Sequence, residues 1–156
     1  MAERTRRDLQ AGFTLIELMV VILIIGILIA VALPTFLGSR TRAQDRAAQT
    51  NLRTGLAASL TYWAENGVYT DFDTTAGEIA EPSLDWRAKG IVPTRDRITI
   101  QEAGEDPRGQ ELLLVTLSRS GTFFCVAQLA NSPAFARGHG AAFGDVDTAV
   151  ECTQGW

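Results

Sequence analysis

Hydrophobic positions along this chain fall into three regimes. From Phe13 to Leu33 every residue except Thr14, Glu17 and Gly26 is apolar. A helix of that length rises ~31 Å, the thickness of bilayer hydrocarbon, so residues 13–34 are expected to span a membrane. Pro34 removes a backbone donor, and together with Gly26 it predicts a kink near Ala30 to Leu33. Over residues 35–66 the apolar positions thin to Phe36, Ala43, Ala47, Leu52, Leu56, Leu60 and Trp63, the stripe of an amphipathic stalk helix that stops at Asn66-Gly67.

Residues 67–156 show a different rhythm. Alternation over 97–101, a Leu/Val run over 111–118 and a third apolar stretch over 122–129 predict three antiparallel strands, with room for a fourth. The last two are joined through Arg119-Ser120-Gly121. Before them, Gly77, Pro82, Gly90 and Pro93 punctuate an irregular stretch with a short helical turn expected near Ser83 to Ala88. A sheet needs cover on one face, and the stripe of Leu52, Leu56, Leu60 and Trp63 is the natural lid. The expected class is α+β, with a long N-terminal helix packed on a small antiparallel head.

Composition refines this picture. A chain of 156 residues holds one modest domain besides the apolar segment, and its 46% hydrophobic content is concentrated in that segment. The net charge of -4 conceals a division: residues 40–53 carry Arg40, Arg42, Arg46 and Arg53 against Asp45, while residues 54–156 carry fourteen acids against seven bases. An acidic head argues against nucleic-acid binding, and a basic stalk beside it allows attraction between copies. Cys125 and Cys152 both lie beyond the apolar run, a placement that favours a disulfide in an oxidising compartment, two free buried thiols being the other reading. Cys125, on the last strand, would tie back to Cys152 across an irregular loop containing Pro133, Gly138, Gly140 and Gly144, a closure worth ~3 kcal/mol.

Nothing in the chain favours catalysis. The lone His139 sits between glycines and is expected in a mobile surface loop, without a Ser or Cys nucleophile arranged beside it. Asp71 to Glu78 misses calcium-loop spacing, and the carboxylates of Asp145, Asp147 and Glu151 are expected to be solvated turn residues. No metal and no cofactor is expected.

The apolar segment has its own chemistry. Glu17 places a carboxylate where ionisation costs ~2.5 to 3.5 kcal/mol, so it either snorkels to headgroups or finds a partner. Arg4, Arg6 and Arg7 flank one end and Arg40, Arg42 and Arg46 the other, so the cysteine pair decides orientation and places the C-terminus outside. Gly12-Phe13-Thr14-Leu15-Ile16-Glu17, followed by the apolar run and Pro34, resembles the N-terminal signature of type IV pilins and pseudopilins; the match covers residues 12–38.

The resemblance implies that residues 1–12 are a leader, cut by a prepilin peptidase between Gly12 and Phe13, and that Phe13 is N-methylated. It implies a single-pass precursor in the cytoplasmic membrane that polymerises with its own copies into an extracellular pilus, with an assembly platform and ATPase as partners. Glu17, pairing with a neighbour's Phe13 amine, would set register. Pro34 and Gly26 would soften the packed helix, and a disulfide-bounded C-terminal region is a feature of many pilins. A pseudopilin of a type II secretion system shares the signature, and a monomeric membrane-anchored binding module that keeps residues 1–12 is a reading of another class. Adhesion, twitching motility, DNA uptake and conduction are not separated by these residues.

Overall fold

The computed structural model describes residues 12–130, 132 and 134–156. The leader assigned to residues 1–12 lies outside them, except for Gly12. Helix α1 (Leu15–Asn66) runs unbroken for 52 residues through Pro34. Contacts divide the chain after Ser39 into two units.

In the first unit the helix buries nothing. Side chains from Phe13 to Leu37 are open, and by length and composition α1 can cross a membrane.

The second unit, Arg40–Trp156, closes its own core. After α1 come α2 (Thr74–Ala80), β1 (Trp86–Arg87), β2 (Ile98–Ala103), β3 (Leu112–Leu117), β4 (Phe123–Gln128) and β5 (Phe135–Gly140). They form a five-stranded sheet in sequence order, antiparallel except for the β1–β2 pair. One face, with Ile98, Ile100, Leu112, Leu114, Phe124 and Val126, packs beneath Ala48, Leu52 and Ala58 of α1. The opposite face, with Leu113, Val115, Cys125 and Ala127, is covered by Val146, Ala149 and Cys152.

The strands over 97–101, 111–118 and 122–129 stand where the alternation and the apolar runs predict them. Three features differ. The helical turn expected near Ser83 to Ala88 is absent; the helix is α2, upstream, because Asp73 Oδ1 accepts the Ala76 N–H at 2.9 Å and caps it, while Trp86 leads the edge strand β1. Gly77 of α2 lies under the Trp86 indole, where an added Cβ would stand 2.5 Å from a ring carbon. A fifth strand, β5, occupies what the glycines suggested was irregular loop, because six residues of β4 pair with it.

The third difference is the face of α1 turned to the sheet. Ala48, Leu52, Gly55, Ala58 and Ser59 are buried, whereas Ala43, Ala47 and Trp63 are exposed. Small residues line this face, and a Cβ at Gly55 would stand in ordinary contact with Leu114 and Trp86, at 3.5 Å. Ser59 turns its hydroxyl back to the Leu56 carbonyl at 2.8 Å, so it can be buried at no polar loss. The helix ends as expected, with Gly67 in the left-handed region (φ 76°) donating to the Trp63 carbonyl at 2.7 Å.

Tyr69 anchors the connection that follows. It is fully buried, and its hydroxyl donates to Gln128 Oε1 at 2.8 Å. Burial pushes its pKa from 10.0 up to about 12, against a smaller opposing hydrogen bond with Ser59. Because the folded-state value is the higher one, its contribution to stability is complete below pH 10 and is lost as pH rises towards 12. Urea unfolding of the head should therefore show a midpoint that falls across that window, and Tyr69→Phe should flatten the fall. An equal fall in Tyr69→Phe would assign it to other groups.

Candidate functional site

Gly12, Phe13 and Thr14 precede the helix without regular structure and are exposed. Phe13 is 89% accessible, so the Gly12–Phe13 bond sits in an open segment immediately before a helix. No Cβ at Gly12 would meet another atom within 4 Å.

Glu17 is not solitary. Thr14 donates its backbone N–H to Glu17 Oε2 at 2.9 Å and its hydroxyl to the same oxygen at 2.8 Å, while the Glu17 N–H donates to Thr14 Oγ1 at 3.2 Å. This is a reciprocal capping box, with Thr14 as N-cap and Glu17 three residues on. It satisfies two of the amides that a helix start leaves without partners. Both acceptor bonds fall on Oε2, so Oε1 is left to accept from elsewhere. The Thr14-x-x-Glu17 spacing carries the capping box in the sequence itself.

Gly26 and Pro34 both lie inside α1. Pro34 has no N–H to offer the carbonyl of Ala30. Beside it, Thr35 Oγ1 reaches the Val31 carbonyl at 3.5 Å and Ser39 Oγ donates to the Thr35 carbonyl at 3.0 Å. Both hydroxyls back-bond to the carbonyl four residues earlier, as Ser and Thr do inside helices, and neither reaches the Ala30 carbonyl.

In the second unit Cys125 and Cys152 are joined as a disulfide. The bond lies across β5 at Gly138, the partner of Cys125 in the ladder. A Cβ on Gly138 would stand 2.8 Å from Cys125 Sγ and 2.9 Å from Cys152 Cα, so only glycine admits the bridge there.

His139 is corrected from a mobile loop to strand β5, with Nδ1 2.8 Å from the Gly155 carbonyl. The adjoining Trp156 donates its indole N–H to the Cys125 carbonyl at 3.0 Å and lies between the guanidinium groups of Arg53 and Arg137, at 4.9 and 5.3 Å. Strand pairing and tail packing, invisible in the glycine-rich local sequence, hold this segment.

The acidic residues have structural partners. Asp145 Oδ2 accepts the Ala142 N–H at 2.9 Å, and Thr148 donates its hydroxyl to Glu151 Oε2 at 2.8 Å. The Asp147 carboxyl shares a hydrogen bond with Glu151, which raises the pKa of Asp147, while the Thr148 hydroxyl and then Asp147 lower that of Glu151. Among the described residues no three His, Cys, Asp or Glu side chains are grouped to hold a metal ion.

Comparison with known proteins bears on the N-terminal segment most directly. The prokaryotic N-terminal methylation motif matches residues 7–33. The chain is 44% identical over 66 residues to the type IV major pilin protein PilA of Myxococcus xanthus, an alignment covering 42% of this chain and 30% of that protein. It is 43% identical over 83 residues to the type IV major pilin protein PilE1 of Neisseria gonorrhoeae, covering 53% of this chain and 50% of that protein. With a fimbrial protein of Neisseria meningitidis serogroup A it shares 45% identity over 124 residues, 75% of this chain and 73% of that protein. The chain thus spans half or less of the Myxococcus and gonococcal proteins and nearly three quarters of the meningococcal one. No solved structure matches it significantly.

Proposed function

Since the chain belongs to the type IV pilin family, we propose that it is the structural subunit of a bacterial surface filament, stored in the cytoplasmic membrane as a precursor. The observation that carries this reading is the apolar, wholly unburied helix surface from Phe13 to Leu37. A water-soluble monomer does not leave so large a patch open. Lipid covers it in the stored state, and a bundle of the same helices from identical copies covers it in a fibre.

Processing between Gly12 and Phe13 by a prepilin peptidase, followed by methylation of the new amine, prepares the subunit. Glu17 then marks register: its free Oε1 accepts from the Phe13 amine of a neighbour, and a subunit displaced by one turn forfeits that pair. An assembly platform and ATPase supply the work of extraction. The rival reading as a secretion pseudopilin shares these N-terminal residues. The relative matched over 73% of its length is a fimbrial protein, which favours the pilus.

Electron microscopy of material sheared from cells, labelled with antibody against the head, tests the reading. Filaments decorated along their length are expected. Label confined to the membrane fraction, with no decorated fibre, would overturn it.

A further inference from the structure

We propose that Arg40, Arg42 and Arg46 bind the phosphate groups of anionic lipids while the subunit is stored in the bilayer, an inference that rests on the membrane-stored precursor described above. All three side chains are exposed, and none takes part in an ion pair among the described residues. Between Glu17 and Glu65 the chain has one acid, Asp45, three positions after Arg42 and one before Arg46. That spacing would suit an intrahelical pair with Arg42.

Asp45 is engaged elsewhere. Its Oδ1 accepts the Ser118 hydroxyl at 2.8 Å and also the hydroxyl of Ser120, which draws the carboxylate to the β3–β4 turn. Arg53, the next base along the helix, is stacked on Trp156. Folding of the head therefore removes the nearby anion and occupies the fourth arginine, and it leaves three guanidiniums uncompensated.

Their place in the chain selects the partner. Beyond the span expected over residues 13–34, Phe36 and Leu37 are the last large apolar residues before the basic stretch, and along a helix Arg40 and Arg42 follow Leu37 by ~5 and ~8 Å. That is the depth of the headgroup layer on one side of a bilayer. Arg42 and Arg46, one turn apart, share a side of the helix, and the planar guanidinium fork matches phosphate oxygens in pairs. A basic residue near an anionic surface strengthens binding about fivefold. Three together would hold the subunit at a defined depth until assembly draws it out.

Native mass spectrometry of the full-length chain in detergent, supplied with phosphatidylglycerol or phosphatidylcholine of matched acyl chains, tests this. Phosphatidylglycerol should be retained preferentially, and Arg42→Gln with Arg46→Gln should weaken that retention about 25-fold. Arg95→Gln, which removes a head arginine, should leave it unchanged. Equal retention of the two lipids, or an undiminished preference in the double variant, would overturn the assignment. So would displacement of the lipid by millimolar inorganic phosphate, which would mark a free-ion site. A double variant that lost filament mass while keeping its lipid preference would instead assign the arginines to an acidic surface of a second copy, and would also overturn it. Release of the wild-type chain from vesicles by alkaline carbonate would defeat the membrane-stored reading itself, a separate failure.

Discussion

Glu17→Gln is expected to leave the chain inserted and cut after Gly12, and to reduce surface filament by on the order of 100-fold. Glutamine serves at the third position of a capping box as glutamate does, so the helix start with Thr14 survives. What disappears is the charge. A carboxylate in hydrocarbon costs ~2.5 to 3.5 kcal/mol, and that penalty is what rewards docking against a neighbour's amine. Loss of about 3 kcal/mol per added subunit corresponds to roughly a 100-fold weaker step. Glu17→Ala removes the charge and the cap together, at a further cost of about 1 kcal/mol in helix stability. Immunoblots of sheared and membrane fractions from the two variants separate these contributions. Wild-type filament yield from Glu17→Gln would assign Glu17 to the helix start alone.

The second large effect belongs to the head. Replacing Cys125 and Cys152 by alanine should lower its stability by ~3 to 4 kcal/mol, the loop-closure value for a sequence separation of 27. For a domain of this size that is a fall of roughly 10 to 20 °C in melting temperature. The loss is not uniform. Residues 141–152 cover Leu113, Val115 and Ala127 through Val146, Ala149 and Cys152, and the bridge pins that cover to β4. Proteolysis should therefore begin within 141–152 in the double variant, while α1 against the other face stays protected. Differential scanning calorimetry and limited proteolysis read the two parts. A melting temperature within about 2 °C of wild type would show that apolar packing holds the cover without the bridge.

These two sites were legible in the sequence to different depths. Glu17 stood out because a carboxylate in an apolar run is a local anomaly, and the stop at Asn66-Gly67 because αL glycine is a local demand. The three central strands were legible for the same reason, since alternation over 97–101 and the short apolar runs over 111–118 and 122–129 are written residue by residue. What local pattern could not carry was choice of partner. The stripe of Leu52, Leu56, Leu60 and Trp63 follows the spacing of large apolar residues, and Leu52 and Leu56 do pack on the sheet, but the small Ala48, Gly55 and Ser59 buried beside them carry no such signal. Strand β5 was hidden because Gly138 and Gly140 read as loop residues, yet Gly138 is bare to make room for the disulfide. The capping box on Glu17 is the exception. Its signal lay within four residues, and attention to the charge obscured it.

On the proposed function this chain works as a trimmed, polymerised subunit beginning at residue 13. Intact-mass and N-terminal peptide spectrometry of sheared surface filaments tests it most directly. The expected product is a chain that starts at N-methyl-Phe13, carries the Cys125–Cys152 bridge and contains no residue before Phe13. A chain retaining Met1 to Gly12, recovered only from detergent-extracted membranes, would contradict it.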